Sequence, residues 1–492
     1  MVNPFIPEYG GAINRLSPDD ALRAMGIELS AATKRLYSNQ RPLIWVNKPT
    51  LFEDLRAYAE SHGIHDTFAD SAVVNRLLAT RNPIDRAMAD RLMTESVIRT
   101  AKEISHRSDV TDISNAFITA MTQSKDADTA QTKIESIIDG AGPQHPFYAD
   151  MRNQYEALLQ KGNMADPKLA SLRVNMAKVR QNGFDETVAK NSININIPQG
   201  FAQYNINGAM GTSNVIIGAP PVDGQPVRTT PIARGFVEGM EIQPTWYIPN
   251  SIAERKGFFK PEFIDYIRSE YQKSGSQSNL FNFVAHDKTN GTSEIYTVDW
   301  NKFNNPHVSP FSQPPSPTNP LGAIKVLLGG EFGRNSIRLH DTVASARGNS
   351  FTQYAQSSGC IRVQNIADVA AALAKDPELG QKYGYPNNKD FFSAIMQPDA
   401  NAGNARPQWQ FPQFANARIP IQPRIAIQTT YNTVTWDGQK AVIHNDIYKR
   451  DAQTERPSRN AMPPIQLEPN AAVTADQTNG ARIPGTAPRY QS

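Results

Sequence analysis

One cysteine and eight histidines stand in this 492-residue chain, and the cysteine falls close to one of the histidines. Cys360 sits in Ser357-Ser358-Gly359-Cys360-Ile361-Arg362-Val363, and His340 lies 20 residues upstream in Ile337-Arg338-Leu339-His340-Asp341-Thr342. A thiol is a weak nucleophile near neutral pH until its pKa of about 8.5 is lowered or a base takes its proton. An imidazole within hydrogen-bond reach does either. The expected geometry is a strand-end histidine beside a Gly-Cys turn, with the residues between them looped out. Gly359 lets the backbone approach a substrate carbonyl, leaving the Gly359 and Cys360 amides for a developing oxyanion. A lone cysteine is most often a small buried hydrophobe, and a lone histidine a satisfied structural residue. The two motifs together favour chemistry.

Other chemistries lack their residues. Lys+Arg 50 against Asp+Glu 47 leaves a net charge of +3, with no run of like charge to attract nucleic acid. A single cysteine excludes an intrachain disulfide, a zinc ribbon and a Cys-ligated cluster. No stretch reaches the about 18 apolar residues of a membrane span. The opening Met1-Val2-Asn3-Pro4-Phe5 has neither a basic n-region nor an apolar h-region, so no cleavable signal is visible. There is no G-x-S-x-G elbow and no phosphate loop. His62, His65 and Asp66 could ligate a metal, but polar residues at a helix end beside Gly63 account for them better. No metal and no cofactor is expected.

The elements that must position the pair are read from periodicity. Residues 1–32 form a Pro/Gly-punctuated N-terminal extension, weakly helical around Asp19 to Met25, and residues 33–180 a helical domain. Leu51, Phe52, Leu55, Tyr58 and Ala59 recur at helical spacing before Gly63. Further helices are predicted at 85–105, at 110–138 and between Tyr155 and Val179. The period then becomes two. Ser192 to Ile197 alternates strictly, and Val215–Gly218, Gly235–Val237, Ile324–Leu328, Ile337–His340 and Ile425–Ile427 read as further strands. Helices interrupt at Lys260–Gln272 and Ile366–Ala374, so residues 181–450 form a β-rich domain. Residues 451–492 hold six prolines and one aromatic, too little apolar surface to offset ordering, and are predicted to be a disordered tail.

The His and Ser-Ser-Gly-Cys-Ile-Arg segments resemble the signature of the L,D-transpeptidases with a YkuD-type catalytic domain, most closely their YcbB-like branch. Gln313-Pro314-Pro315-Ser316-Pro317-Thr318-Asn319-Pro320-Leu321-Gly322, Pro244-Thr245-Trp246-Tyr247-Ile248-Pro249 and Asp446-Ile447-Tyr448 resemble further family segments. Leu36-Tyr37 and Pro42-Leu43-Ile44-Trp45 resemble the start of that branch's scaffold domain. Two departures stand out: Arg338 replaces a tyrosine two residues before the histidine, and Ser316 replaces a glycine. The resemblance implies an α+β protein: a helical scaffold, then a catalytic mixed β-sandwich with a few helices.

It also implies roles. Cys360 would attack the carbonyl joining the diamino acid of a peptidoglycan stem to its terminal D-alanine, forming a thioacyl-enzyme. His340 would be base and then acid, and the Gly359 and Cys360 amides the oxyanion donors. A second stem's side-chain amine then gives a 3→3 cross-link; water gives an L,D-carboxypeptidase, glycine an exchange reaction. Such a hydrolytic enzyme would suit a secreted antibacterial effector. A third reading is a silent peptidoglycan-binding scaffold, against which both Cys360 and His340 speak. Around the pair, Ser357 and Ser358 orient His340, meet substrate or simply turn the chain. Arg362 binds a stem carboxylate or makes an internal ion pair. Asp341 polarises a neighbour or caps a turn. Trp246 lines the donor groove or packs in the core. Asn319 meets substrate or forms a turn, and Arg338 bears on acceptor preference. The expected partners are stem peptides, donor tetrapeptide and acceptor diamino acid, with cell-wall synthesis or secretion proteins reached through the helical domain or the tail. The expected location is periplasmic or otherwise extracytoplasmic, and the resemblance implies acylation by carbapenems.

Overall fold

The computed structural model describes residues 16–38, 43, 45, 49–105, 115–116, 119–120, 123, 126–185, 187–223, 227–274, 280–286, 293–303, 308, 310–344, 354–401, 408–454, 458 and 460–463. The chain divides into two compact units: Met1–Asp185 with Val434–Ile443 and Asp451–Ser492, and Glu186–Thr433 with His444–Arg450.

The first unit is helical, as its periodicity predicts. Its helices start where side chains satisfy the first free amides. Ser17 accepts from Asp20 N ahead of Pro18–Ala24, Asp126 from Thr129 N ahead of Ala127–Ala141, and Asp166 from Lys168 N ahead of Pro167–Asn182. Pro83–Ser105 is the central helix, buried through Met88, Leu92, Met93, Val97, Ile98 and Ile104. Its inward polar groups are matched: Asp90 by Tyr37 Oη, Thr94 by Trp45 Nε1 at 2.7 Å, and Glu95 by Ser30 Oγ at 2.8 Å.

Three boundaries differ from expectation. The extension predicted over residues 1–32 joins the helical core: its weakly helical stretch is the helix Pro18–Ala24, and Leu22, Met25 and Ile27 are buried in the same cluster as the later helices. Residues 1–15, and 110–114, 117–118, 121–122 and 124–125 of the helix predicted at 110–138, lie outside the described residues. The tail is ordered at its start, because polar contacts to the backbone hold what few apolar groups do not. Arg450–Thr454 is helical, Ser458 N donates to Asp66 at 2.7 Å, and Arg99 Nη1 donates to Ala461 O at 2.7 Å. Residues 464–492 lie outside the described residues. The third change is a hairpin of Val434–Trp436 with Ala441–Ile443, which leaves the predicted β domain and packs with Phe147, Tyr155 and Leu172 of the first unit.

The second unit carries β1 (Ser192–Asn196), β2 (Phe201–Ile206), β3 (Ala209–Gly218), β4 (Arg234–Ile242), β5 (Trp246–Tyr247), β6 (Leu280–His286), β7 (Ser293–Asp299), β8 (Phe311–Gln313), β9 (Ile324–Gly330), β10 (Leu339–His340), β11 (Ala355–Ser357), β12 (Ile361–Val363) and β13 (Ala417–Thr430). The sandwich expectation is corrected here. The strands run β3-β12-β10-β9-β4-β13-β1-β2, and β2 pairs back onto β3, closing a ring with β11 attached outside the circuit. Closure follows because β2 serves both β1 and β3, leaving no open edge in that circuit. Mixed α+β architecture holds. Ile193 and Ile195 of β1, Val237 of β4, Val326 of β9, Ile361 of β12 and Ile427 of β13 share one buried cluster, which also takes Val369 and Phe392 from the helices Ile366–Leu373 and Asn388–Ile395.

A smaller sheet, ordered β5-β8-β7-β6, is inserted between β4 and β9. With the helices Asn250–Arg255 and Pro261–Ser274 it has its own aromatic core, in which Phe258 lies 5.2 Å from Tyr296 and 5.1 Å from Phe311 between ring centroids.

Candidate active site

Cys360 and His340 come from neighbouring parallel strands. β10 pairs with β12 in the register Leu339↔Ile361 and His340↔Arg362. Side chains alternate along a strand, so Leu339 and Ile361 point into the buried cluster while His340 and Arg362 share the other face. One step earlier, Ile361 N donates to Arg338 O at 2.9 Å, which puts Cys360 beside Arg338 on that same face. Cys360 and His340 are diagonal neighbours, at about 7–8 Å between α-carbons for such a pair.

Polar contacts define the state of each. His340 is 3% exposed, and its Nδ1 faces the carbonyl of Asp341. A carbonyl only accepts, so Nδ1 carries the proton and Nε2 presents its lone pair. Among the described residues Nε2 has no hydrogen-bond partner. Burial, then the positive charge of Arg362, push the imidazole pKa down to about 3, the Asp341 carbonyl opposing. The ring is therefore neutral at physiological pH. Burial also pushes the Cys360 thiol above its ordinary value, against the backbone of Arg338 and the charges of Arg338 and Arg362. The thiol donates to Ser336 O at 3.9 Å rather than to His340. Ser336 itself stands at φ +55°, in the turn just before β10.

The Gly359–Cys360 turn is held by hydrogen bonds the motif does not announce. Gly359 has φ +107°, and a Cβ there would come within 3.2 Å of Ile337 Cδ1, so glycine is required. Ser357 Oγ donates to Cys360 O at 2.6 Å and accepts from Gly359 N at 3.1 Å. That second bond corrects one expectation, because it occupies the Gly359 amide. The Cys360 N–H has no partner among the described residues and remains for an oxyanion. The same peptide unit is gripped at its other end: Thr230 Oγ1 donates to Gly359 O at 2.9 Å while accepting from Gly218 N at 2.8 Å. Tyr448 Oη completes the clamp, donating to Gly218 O at 2.7 Å and accepting from Thr230 N at 3.0 Å.

The remaining candidates separate. Ser358 is exposed and accepts from Arg255 Nη2 at 2.8 Å. Arg338 and Arg362 are half-buried beside the thiol, and Arg362 Nε is buried without a partner among the described residues. Asn319 belongs to the turn that abuts Asp341 through Gly322. It is fully buried, its Nδ2 donates to Pro244 O at 3.1 Å, and its Oδ1 accepts from Leu321 N at 2.9 Å, the contacts of a turn former. Trp246 packs half-buried against the aromatic core of the small sheet. Asp341 Oδ2 accepts from Ala323 N at 2.9 Å, a turn-holding contact. His62 lies in the other unit, its Nδ1 2.9 Å from Tyr148 Oη, and no group of three or more potential metal ligands occurs among the described residues. Arg255 and Thr230 escaped sequence reasoning; one arginine in a short helix and one threonine in a loop carry no local signal.

Residues 190–382 match the family model of the L,D-transpeptidase catalytic domain, YkuD. That segment contains both Cys360 and His340; a domain of this kind indicates an L,D-transpeptidase-type cysteine enzyme, and its family implies a peptidoglycan substrate. No curated protein matches the chain. Among the described residues, no helix is long and apolar enough to cross a membrane.

Proposed function

We propose that the protein is a peptidoglycan L,D-transpeptidase that forms 3→3 cross-links through a thioacyl intermediate on Cys360, releasing D-alanine from tetrapeptide stems. The observation that supports this best is the His340 tautomer: Nδ1–H is committed to the Asp341 carbonyl, leaving a neutral Nε2 on the face that carries Cys360. The resting pair is thiol and imidazole, not a preformed ion pair. Cys360 Sγ attacks the carbonyl of the diamino acid as its proton passes to Nε2. The developing oxyanion meets the Cys360 N–H. The tetrahedral adduct collapses, the C–N bond breaks, and Nε2–H protonates the departing D-alanine amine. An acceptor side-chain amine then attacks the thioester, gives its proton to Nε2, and displaces the sulfur, which takes that proton back.

The Ser-Ser-Gly-Cys motif and the Asp446-Ile447-Tyr448 segment support the YcbB-like branch. The polymer lies outside the cytoplasmic membrane, so that is where the reaction is placed. Purified protein incubated with tetrapeptide-stem muropeptides should yield, by mass spectrometry, cross-linked dimers that have lost one D-alanine. Tripeptide products alone would replace transfer by hydrolysis. Unchanged substrate, or full activity in Cys360→Ala, would overturn the proposal.

A further inference from the structure

We infer that Arg228 and Arg255 form a subsite for the C-terminal carboxylate of the acyl donor, on the leaving-group side of Cys360; this rests on the function proposed above. Arg255 ends the helix Asn250–Arg255 of the inserted layer and reaches the nucleophile turn through its bond to Ser358 Oγ at 2.8 Å. Ser358 precedes the nucleophile by two residues, a separation of at most about 7 Å along the chain. Arg228 is fixed on the same turn. Its carbonyl approaches Gly218 so closely that a Cβ there would stand 1.9 Å away, and the same carbonyl lies 3.8 Å from where a Cβ on Gly359 would be. The two arginines are near enough that, after burial, the charge of Arg228 lowers the pKa of Arg255.

The cluster is a site because Arg255, exposed to solvent, and half-buried Arg228 meet at the Cys360 turn with no counter-charge between them. Other cations of the same unit do find carboxylates: Lys325 pairs with Glu241, Lys389 with Asp368 at 2.7 Å, and Lys256 with Glu294 at 3.6 Å. Arg228 and Arg255 at the turn, and Arg338 and Arg362 whose charges act on Cys360, form no ion pair among the described residues. Like charges gathered without an anion oppose folding, and such local conflicts concentrate where a ligand completes the arrangement. A guanidinium fork matches a carboxylate through two parallel hydrogen bonds. Of the donor's carboxylates, the terminal one is the best placed. Only the amide nitrogen and one α-carbon separate it from the scissile carbonyl carbon, so it stays within the short reach of the Ser358 side. The carboxylate at the far end of the diamino acid hangs on a flexible chain. The subsite therefore reads the end of the stem, and it empties when the terminal residue leaves, clearing the way for the acceptor.

The test compares two synthetic tetrapeptide stems, one ending in a free carboxylate and one in a primary amide, by intact-protein mass spectrometry of Cys360 acylation. The wild-type protein should acylate the free acid faster, by about ten- to hundredfold for a charge-assisted pair. The double variant Arg228→Gln with Arg255→Gln should slow the acid alone, bringing the two rates together. Iodoacetamide, small and uncharged, should label Cys360 equally fast in both proteins, showing an intact turn. Equal acylation of acid and amide by the wild type would overturn the inference and leave the thioacyl reading standing. Equal slowing of both stems in the double variant would reduce Arg255 to a prop for Ser358 and overturn it too. If neither stem acylates the wild-type protein, the proposed function fails and the inference with it.

Discussion

Thr230 offers a perturbation whose outcome is worked from the structure. Its hydroxyl is fully buried, gives a hydrogen bond to Gly359 O at 2.9 Å and receives one from Gly218 N at 2.8 Å. Thr230→Val exchanges hydroxyl for methyl and strands both backbone groups. Each buried orphan costs about 1–3 kcal/mol, so stability should fall by about 2–6 kcal/mol. The kinetic effect has a different origin. Gly359 C=O and Cys360 N–H belong to one planar peptide, so releasing the carbonyl frees the oxyanion donor to rotate. Losing such a donor outright slows acyl transfer by about 100- to 1000-fold, and its misorientation should cost a large part of that. Alkylation by iodoacetamide passes through no oxyanion and should keep its rate. Thr230→Ser keeps the hydroxyl, and should restore acylation while losing about 1 kcal/mol for the missing methyl. The assays are urea unfolding, acylation by a stem peptide or carbapenem, and iodoacetamide labelling, run on all three proteins. Acylation and alkylation slowed equally in Thr230→Val, or no change in either stability or acylation, would refute the reasoning.

Three further outcomes follow from the geometry of the site. With the His340 pKa pushed down to about 3, the imidazole remains a free base through mildly acid conditions, so acylation at pH 5 should stay within about twofold of its pH 7.5 rate. A histidine of ordinary pKa 6.5 would lose about thirtyfold over that interval, and a rate midpoint near 6.5 would contradict the burial argument. The sign for stability is the opposite of a gained partner: below pH 6.5 the unfolded state binds a proton that folded His340 refuses until about pH 3, so stability should decline as pH falls through that window. Urea midpoints at pH 7 and 5 check this, and His340→Gln should flatten the difference. Gly359→Ala places a Cβ at φ +107° and 3.2 Å from Ile337 Cδ1, so it should lose at least about 1–2 kcal/mol by thermal unfolding and most of its acylation rate. An unaltered melting curve would show that the turn tolerates a side chain.

The candidate pair was legible because chemistry restricts it. One cysteine, preceded by glycine and paired with an upstream histidine, leaves few alternatives. Strands with a buried face were legible too. Ser192–Asn196 alternates isoleucine with asparagine, and the structure buries Ile193 and Ile195. By contrast β13 extends over Ala417–Thr430, although only Ile425–Ile427 reads as strand; Pro420 and Pro423 interrupt the pattern where its register with β4 shifts. Ring closure depends on β2 pairing with two partners, which no single segment encodes. The same holds for the clamp. Gly218, Thr230, Gly359 and Tyr448 are scattered over 230 residues and meet only through the topology. Cation clusters are equally silent, because the absence of a carboxylate is a fact of space rather than of order along the chain.

The position of β13 decides where this enzyme can be cut. The segment that matches the family model ends at residue 382, whereas β13 begins at Ala417 and stands between β1 and β4. A fragment stopped there would be a cask lacking one stave, with the flanks of two strands bare and prone to stick to other chains. It would also lack Tyr448, and with it one hand of the grip on the nucleophile's peptide. The smallest piece that retains both runs to Arg450, and it must carry along the hairpin that the chain lends to its helical half on the way.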